Sequence, residues 1–459
     1  MSKNTIELPN LKEIEKDLFK QLQIYFRVIL SHILEELDVW LMENRDFKRF
    51  EYRERQSCTL ETLFGPLTFK RRKYKDRQTG RRVALLDQVL KFKGSNSLSP
   101  LITDMAVDWA VRGRSYRDAR DRITELLDHQ AISHESIRQK VLGVKKIDHS
   151  TREGHPKKVK ALFLEVDGIN PSLQGMAQKT HEVKVGMVHE GWEKRHPKSK
   201  NYQLVNKSFY ISLGDGEEFW EAFSRELYAQ YDINEETPII INGDGASWIR
   251  AGVDYFPNAF YNYDRFHLKK WMKAALSNRE KKERQKAYKA AEANDPSALL
   301  AAIAEAEMAE TVKEKESEIA RLRTFILNNI EAFRDYRERL QEKGFTDTSW
   351  MRPMGAAESQ MNQFSKRLKQ GYSWGLAGLH SMATAMVHRF EGTLYEAIAD
   401  SAKENEKPDK KINIKQWLKV KTRESIGAVT GHLPALASRD QGKPYIEALK
   451  GLAGYQGIF

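Results

Sequence analysis

The stretch Thr237-Pro-Ile-Ile-Ile-Asn-Gly-Asp-Gly-Ala-Ser-Trp-Ile249 decides how the rest of this chain is read. Ile239, Ile240 and Ile241 form a short β-branched run, the composition of a strand covered on both faces. The run delivers one carboxylate, Asp244, onto a turn flanked by Gly243 and Gly245, and a helix begins at Ser247. Two glycines beside a carboxylate are expected to leave room for a phosphate or a metal ion to approach the backbone. An Asp at a strand end is also a common helix cap, so this segment alone defines an edge and not a chemistry.

A second copy of the pattern lies upstream, where the apolar strand Val159-Lys-Ala-Leu-Phe-Leu-Glu-Val166 ends in Asp167-Gly168. Between the copies, residues 182–189 and 207–213 read as strands, and 217–228 reads as a helix with Phe219, Trp220, Phe223 and Leu227 at helical spacing. After Asp244 come a short helix, a strand at 258–263 and a helix opening around His267. The order is three strands, a helix, a strand, a helix and a strand. That is the order of an α/β, ribonuclease-H-like fold, in which the first and fourth strands are neighbours and their carboxylates converge.

A fold of this kind takes its last acid from a helix after the fifth strand, and Glu358 is the candidate. It lies in a segment where Ala357, Met361, Phe364 and Leu368 fall on one helical face, and it borders that face. Glu165 is a rival, because strand alternation points it to the same face as Asp167.

Together, Asp167-Gly168, Gly243-Asp244-Gly245-Ala246, the Asp264-Arg-Phe-His267 after the fifth strand and the Glu358 helix resemble a bacterial insertion-sequence transposase. The likeness is to the ISLre insertion-sequence family, related to the Mutator-like DDE transposases, and it covers nearly the whole chain. It implies an all-helical insertion before the last acid. The interval from Asp244 to Glu358 is 114 positions, against 77 from Asp167 to Asp244, and residues 274–343 are charged and helix-forming with Pro296 as their only proline.

The resemblance further implies two-metal chemistry on DNA. Asp167, Asp244 and Glu358 would hold two Mg²⁺ or Mn²⁺ ions roughly 3.5–4 Å apart, Asp167 bridging both. Asp264 and His267 would form an accessory pair near the scissile phosphate. The implied partners are double-stranded DNA, as terminal inverted repeats and target, and further copies of the chain in a synaptic complex, a homodimer or larger. Two alternatives stay open: a nuclease of the same fold without strand transfer, and a non-catalytic DNA-binding protein derived from a transposase. Trp248 reads as core, with a stacking platform for a flipped base as the other reading.

Charge agrees with a polyanionic partner. Lys plus Arg number 76 against 64 Asp plus Glu, for a formal net charge of +12 and a pI near 9.3. Residues 70–82 hold eight basic residues and one acid, among them Arg71, Arg72, Lys73, Lys75, Arg81 and Arg82, and the flanking pattern suggests a basic β-hairpin within 51–97. Residues 98–150 read as a helix-turn-helix region whose second helix presents Ser136, Arg138, Gln139 and Lys140 to DNA.

Residues 1–50 carry an amphipathic helix with Leu11, Ile14, Leu18, Leu22, Tyr25, Ile29, Ile33, Leu37 and Trp40 in one stripe, expected to pack on its own domain or at a dimer contact. The catalytic core is expected at 151–273 and 346–400 around a helical insertion at 274–345, with a basic tail at 401–459. Cys58 is the sole cysteine, which excludes a disulfide framework and fits a reducing cytoplasm. No hydrophobic run reaches the roughly 20 residues of a membrane span, and no Walker loop or dinucleotide fingerprint occurs.

Overall fold

Asn10 and Glu13 close a reciprocal capping box that starts α1 (Leu11–Asn44), an unbroken helix of 34 residues. The computed structural model describes residues 10–145, 155–369 and 371–401, and divides the chain into two units. The first contains 10–145 with 392–401 and the second contains 155–391. No described helix is long and apolar enough to cross a membrane. The tail expected at 401–459 lies, beyond Ser401, outside the described residues.

In the first unit α1 lies along a long antiparallel hairpin of β1 (Phe50–Thr62) and β2 (Gly65–Asp76). The row that packs is Leu30, Leu34, Leu37 and Leu41, against Cys58, Leu60, Leu67 and Phe69. Of the expected stripe, Leu37 joins this row, while Leu11, Ile14, Leu18, Leu22, Ile29, Ile33 and Trp40 are exposed and do not pack within the unit. Polar contacts set the roll of the helix. Glu35 Oε1 accepts the Lys70 backbone N–H at 2.8 Å and Asp38 Oδ1 accepts that of Arg72 at 3.0 Å. Carboxylates from α1 thereby satisfy the outer edge of β2, which would otherwise offer unpaired donors to another strand.

The hairpin continues through β3 (Arg82–Val83), α2 (Leu85–Val89) and β4 (Ser97–Leu98), giving sheet order β3-β2-β1-β4. Three helices follow: α3 (Pro100–Arg112), α4 (Tyr116–Leu127) and α5 (His134–Leu142). Ser99, Ser115 and Ser133 each cap one by accepting a backbone N–H from its first turn.

The second unit is built on a sheet ordered β10-β7-β5-β11-β12. Its strands are β5 (Leu162–Ile169), β7 (Val183–His189), β10 (Ser208–Ser212), β11 (Ile239–Gly243) and β12 (Ala259–Tyr263), with a two-residue β6 (Ser172–Leu173) and a hairpin of β8 (Trp192–Lys194) and β9 (Tyr202–Leu204) between them. Strands β7 and β10 run antiparallel to their neighbours, whereas β5, β11 and β12 are mutually parallel. Both faces of the centre are covered, which accounts for the unbroken isoleucine run. Ile239 and Ile241 pack with Phe219, Trp220, Phe223 and Leu227 of α6 (Gly216–Gln230), while Ile240 packs with Phe163, Phe260, Tyr336, Met351 and Met354 on the other side.

After β11, α7 (Ser247–Arg250) and a 3₁₀ turn lead to β12 and α8 (Arg265–Ala275). Three helices then extend the first of these cores, α9 (Lys281–Glu292), α10 (Pro296–Met308) and α11 (Lys313–Asn328), and α12 (Tyr336–Glu342) joins the second through Tyr336 and Leu340; Pro296 takes the first position of α10, where its missing N–H costs nothing. The chain returns to the sheet with α13 (Ala357–Leu368) packed on β5, then β13 (Ser373–Trp374) beside β6, and α14 (Leu376–Glu391) against β10. Glu391 accepts the Phe209 N–H of β10 at 2.7 Å. The last described helix, α15 (Leu394–Ser401), belongs to the first unit.

Gly252 shows how tightly α6 is seated, because a Cβ there would stand 2.3 Å from the Trp220 ring. Gly252→Ala is therefore expected to destabilise the second unit by about 1–3 kcal/mol through overpacking, read as a lower urea midpoint with an unchanged slope.

Candidate active site

The parallel register of β5 and β11 sets Asn242 opposite Glu165, so that Asp167 and Asp244, each two positions on, come side by side at the carboxyl end of the sheet. Asp167 lies within β5, two residues before its end, and Asp244 is the residue after β11. The Asp167 side chain is 16% exposed, and its Oδ1 accepts the N–H of Gly168 at 2.7 Å. From the first turn of α8, His267 brings Nε2 to 3.9 Å from Asp167 Oδ2. Burial raises the Asp167 pKa to about 6, His267 and the Gly168 N–H work against that rise, and the charges of Asp244 and Asp264 add to it.

Asp244 Oδ1 accepts the Ala246 N–H at 3.0 Å, which shapes the turn into α7. The flanking glycines do not leave the space expected of them. A Cβ on Gly243 would meet Ile249 at 2.7 Å, and one on Gly245 would meet Phe325 at 2.7 Å and Tyr263 at 2.9 Å. Gly245 also has φ +92°, so it answers both a left-handed turn and the close approach of a helix, through Phe325, and of a strand end, through Tyr263.

Asp264 departs from the expected pairing. It is 2% exposed; one oxygen accepts the N–H groups of Phe266 and His267 at 2.9 and 3.1 Å, capping α8, and the other accepts Asn242 Nδ2 at 2.8 Å. Asn262 in turn donates to Asn242 Oδ1 at 2.8 Å. Asp264 thus fixes the helix that aims His267 and does not itself open onto the carboxylates. Trp248 sits against Phe219 with ring centroids 5.3 Å apart, a core contact.

Glu358 lies on α13, and its side chain falls outside the described residues. Met361, Phe364 and Leu368 of that helix are buried, as their spacing predicts. What holds the start of α13 is Glu165, the rejected rival. Fully buried, its Oε1 accepts the Ala356 N–H at 3.1 Å and lies 3.4 Å from that of Gly355, with His189 Nε2 at 3.6 Å. Sequence reasoning missed this role, although a glutamate inside an apolar strand was its signal.

The donor set fits a hard divalent cation. Asp167 and Asp244 supply oxygens, and the Asp167 pKa is raised chiefly by burial, with the charges of Asp244 and Asp264 adding to it, so the ionised carboxylate is one that a cation would favour. Among the described side chains no group of three His, Cys, Asp or Glu is arranged to hold a metal. The third ligand of the expected set is Glu358.

In the first unit the basic residues divide. Arg71 is 2% exposed and ion-paired with Asp87, Arg72 is bound to Asp38 at 2.6 Å, and Lys73 lies 3.9 Å from Asp87. These three are thus largely engaged inside the unit, whereas Lys75, Arg81 and Arg82 are exposed. On α5, Arg138 and Gln139 bond Glu135 of their own helix, Ser136 bonds Ser133, and burial lowers the pKa of Lys140.

The Asp167 shift gives a signed prediction. A carboxyl whose folded pKa stands above the ordinary aspartate value of about 4 costs stability when ionised; that cost is complete above pH 6 and disappears as pH falls toward 4. Metal-free Asp167→Asn is expected to be more stable than the wild type by about 2–3 kcal/mol at pH 8, with the gap closing near pH 4, as read from paired denaturant titrations.

Residues 4–404 match the uncharacterised protein family UPF0236. A UPF0236 protein in the vanSb 3′ region of Streptococcus gallolyticus is 26% identical over 401 residues, 83% of this chain and 84% of that protein. A UPF0236 protein of Caldanaerobacter subterraneus, whose name joins eleven loci, is 26% identical over 407 residues, covering 85% and 79%. Another from the same organism is 27% identical over 383 residues, covering 80% and 76%. The chain belongs to the UPF0236 family.

Proposed function

We propose that this protein is the transposase of a bacterial insertion sequence, cutting at the ends of its element and joining the freed 3′-hydroxyls to target DNA. The observation that carries the proposal is the delivery of Asp167 and Asp244 to one sheet edge by neighbouring parallel strands, with the Glu358 helix packed on the first of them. The strand order β10-β7-β5-β11-β12 supports a ribonuclease-H-like core, and the array α9–α12 corresponds to the helical insertion of the resemblance. The relative whose name joins eleven loci of one organism supports a mobile element, since repeated copies are what transposition leaves behind.

In this reading Asp167, Asp244 and Glu358 would hold two Mg²⁺ or Mn²⁺ ions, whose chemistry would be to activate the attacking oxygen and to stabilise the leaving one. The chain's own part is positioning. Asp264 and Asn242 hold the start of α8 so that the His267 imidazole faces Asp167, where it orients that carboxylate or hydrogen-bonds a phosphate oxygen. Lys75, Arg81 and Arg82 of the first unit, with α5, are proposed to contact DNA, and the exposed apolar row of α1 is proposed to meet a second copy.

A strand-transfer assay with the inverted repeats flanking the gene tests the proposal. Asp167→Asn, Asp244→Asn and Glu358→Gln are each expected to lower cleavage and joining by on the order of 10³-fold, about 4 kcal/mol of barrier, while end binding persists. Full activity of all three variants would refute it. Cutting without joining by the wild type would assign the nuclease reading, and binding with no metal-dependent cutting the non-catalytic one. Mg²⁺ or Mn²⁺ is also expected to raise the melting temperature of the wild type and not that of Asp167→Asn.

A further inference from the structure

The β8–β9 hairpin lies outside everything assigned so far. Its tip, residues 194–200, carries Lys194, Arg195, Lys198 and Lys200 with no carboxylate, and all four cations are exposed. None of them lies within ion-pair distance of a described acid. The turn has a set shape: the Arg195 N–H donates to Asn201 O at 3.2 Å, the Ser199 N–H to His196 O at 2.8 Å, and the Asn201 N–H to Ser199 Oγ at 3.0 Å.

A run of cations on a loose loop is ordinarily just solvated surface. This one stands on an anchored base. Trp192 packs on Phe163 and His189 with ring centroids 4.7 and 4.9 Å away, and the Arg352 guanidinium lies 3.7 Å from the Tyr202 ring centroid. Gly191 has φ +124°, and the Trp350 ring fills the place where its Cβ would be. Backbone bonds Glu190 N–H to Val205 O and Val205 N–H to Gly191 O close the neck, both at 3.0 Å.

Position separates the hairpin from the carboxylates. His189, just before it, pairs with Phe163 at the start of β5, whereas Asp167 pairs with Val185. Four residues of strand, roughly 13 Å at about 3.3 Å each, lie between them. We propose that the β8–β9 hairpin grips the phosphate backbone of duplex DNA away from the point of cleavage. Point charges and no base-reading fork at three of its four cations suit a grip indifferent to sequence. The inference rests on the DNA reading of the preceding section.

The test is the full-length chain with Lys194→Gln, Arg195→Gln, Lys198→Gln and Lys200→Gln combined, measured for duplex affinity across a salt series. Each lost phosphate contact is expected to reduce the slope of log K against log salt by about 0.9, so two to four contacts remove roughly 2–4 from the slope and weaken binding on the order of 30-fold or more near 0.15 M salt. The single-turnover cleavage rate at saturating DNA is expected to hold. Lys→Arg at the three lysines is expected to keep the slope. Should the combined variant not fold, the pairs 194/195 and 198/200 are measured separately, and each is expected to lose part of the slope.

An unchanged slope in a folded variant, with the wild type binding duplex normally, overturns the inference and leaves the transposase reading standing. Reduced heparin retention with an unchanged DNA slope assigns the tip to another polyanion and also overturns it. A wild type with no salt-dependent duplex binding removes both readings.

Discussion

The pairing of β5 with β11 is the constraint on which the rest of the second unit depends. Two parallel strands side by side point their carboxyl ends the same way, so their register alone brings residues far apart in sequence together. Parallel strands also require crossovers, and here α6 supplies the cover for one face while α12 and the segment after it supply it for the other. The isoleucines at 239–241 satisfy both layers at once. A carboxylate delivered by such a strand cannot drift, because the strand behind it is packed on both sides.

Much of this was legible in the residues. β-branched runs ending in Asp-Gly marked the two central strands, and the aromatic spacing in 217–228 marked the helix that covers them. Most boundaries came within a residue or two, since buried strands announce themselves by composition, while the first core strand starts at Leu162, three residues after the expected Val159. The orientation of α1 was not legible. Its apolar residues populate more than one face, and the choice between faces was made by Glu35 and Asp38 bonding an open strand edge, a contact between segments more than thirty positions apart. The roles of the glycines and of Asp264 were hidden for the same reason. Gly245 is explained by Phe325 and Tyr263, and Asp264 by Asn242, none of which a local window contains.

Basic residues illustrate the limit from another side. The run at 70–82 reads as one patch, yet strand alternation turns its members to opposite faces, and Arg71 enters the interior to pair with Asp87. Total charge therefore overstates what the patch can offer a polyanion, and geometry decides which cations remain free. The hairpin at 192–204 is the converse case: it is short, lacks a strong hydrophobic pattern, and still presents its charges without competition.

The clasp between Glu165 and the backbone at 355–356 closes a loop of 191 positions. Bringing such distant segments together carries a chain-entropy cost that packing elsewhere must first offset, so the start of α13 docks only against an assembled sheet and its buried methionines. A polypeptide that has emerged only as far as β12 holds Asp167 and Asp244 but lacks the 355–356 N–H groups that Glu165 accepts. Seating of α13 on β5 therefore follows assembly of the sheet and cannot precede it.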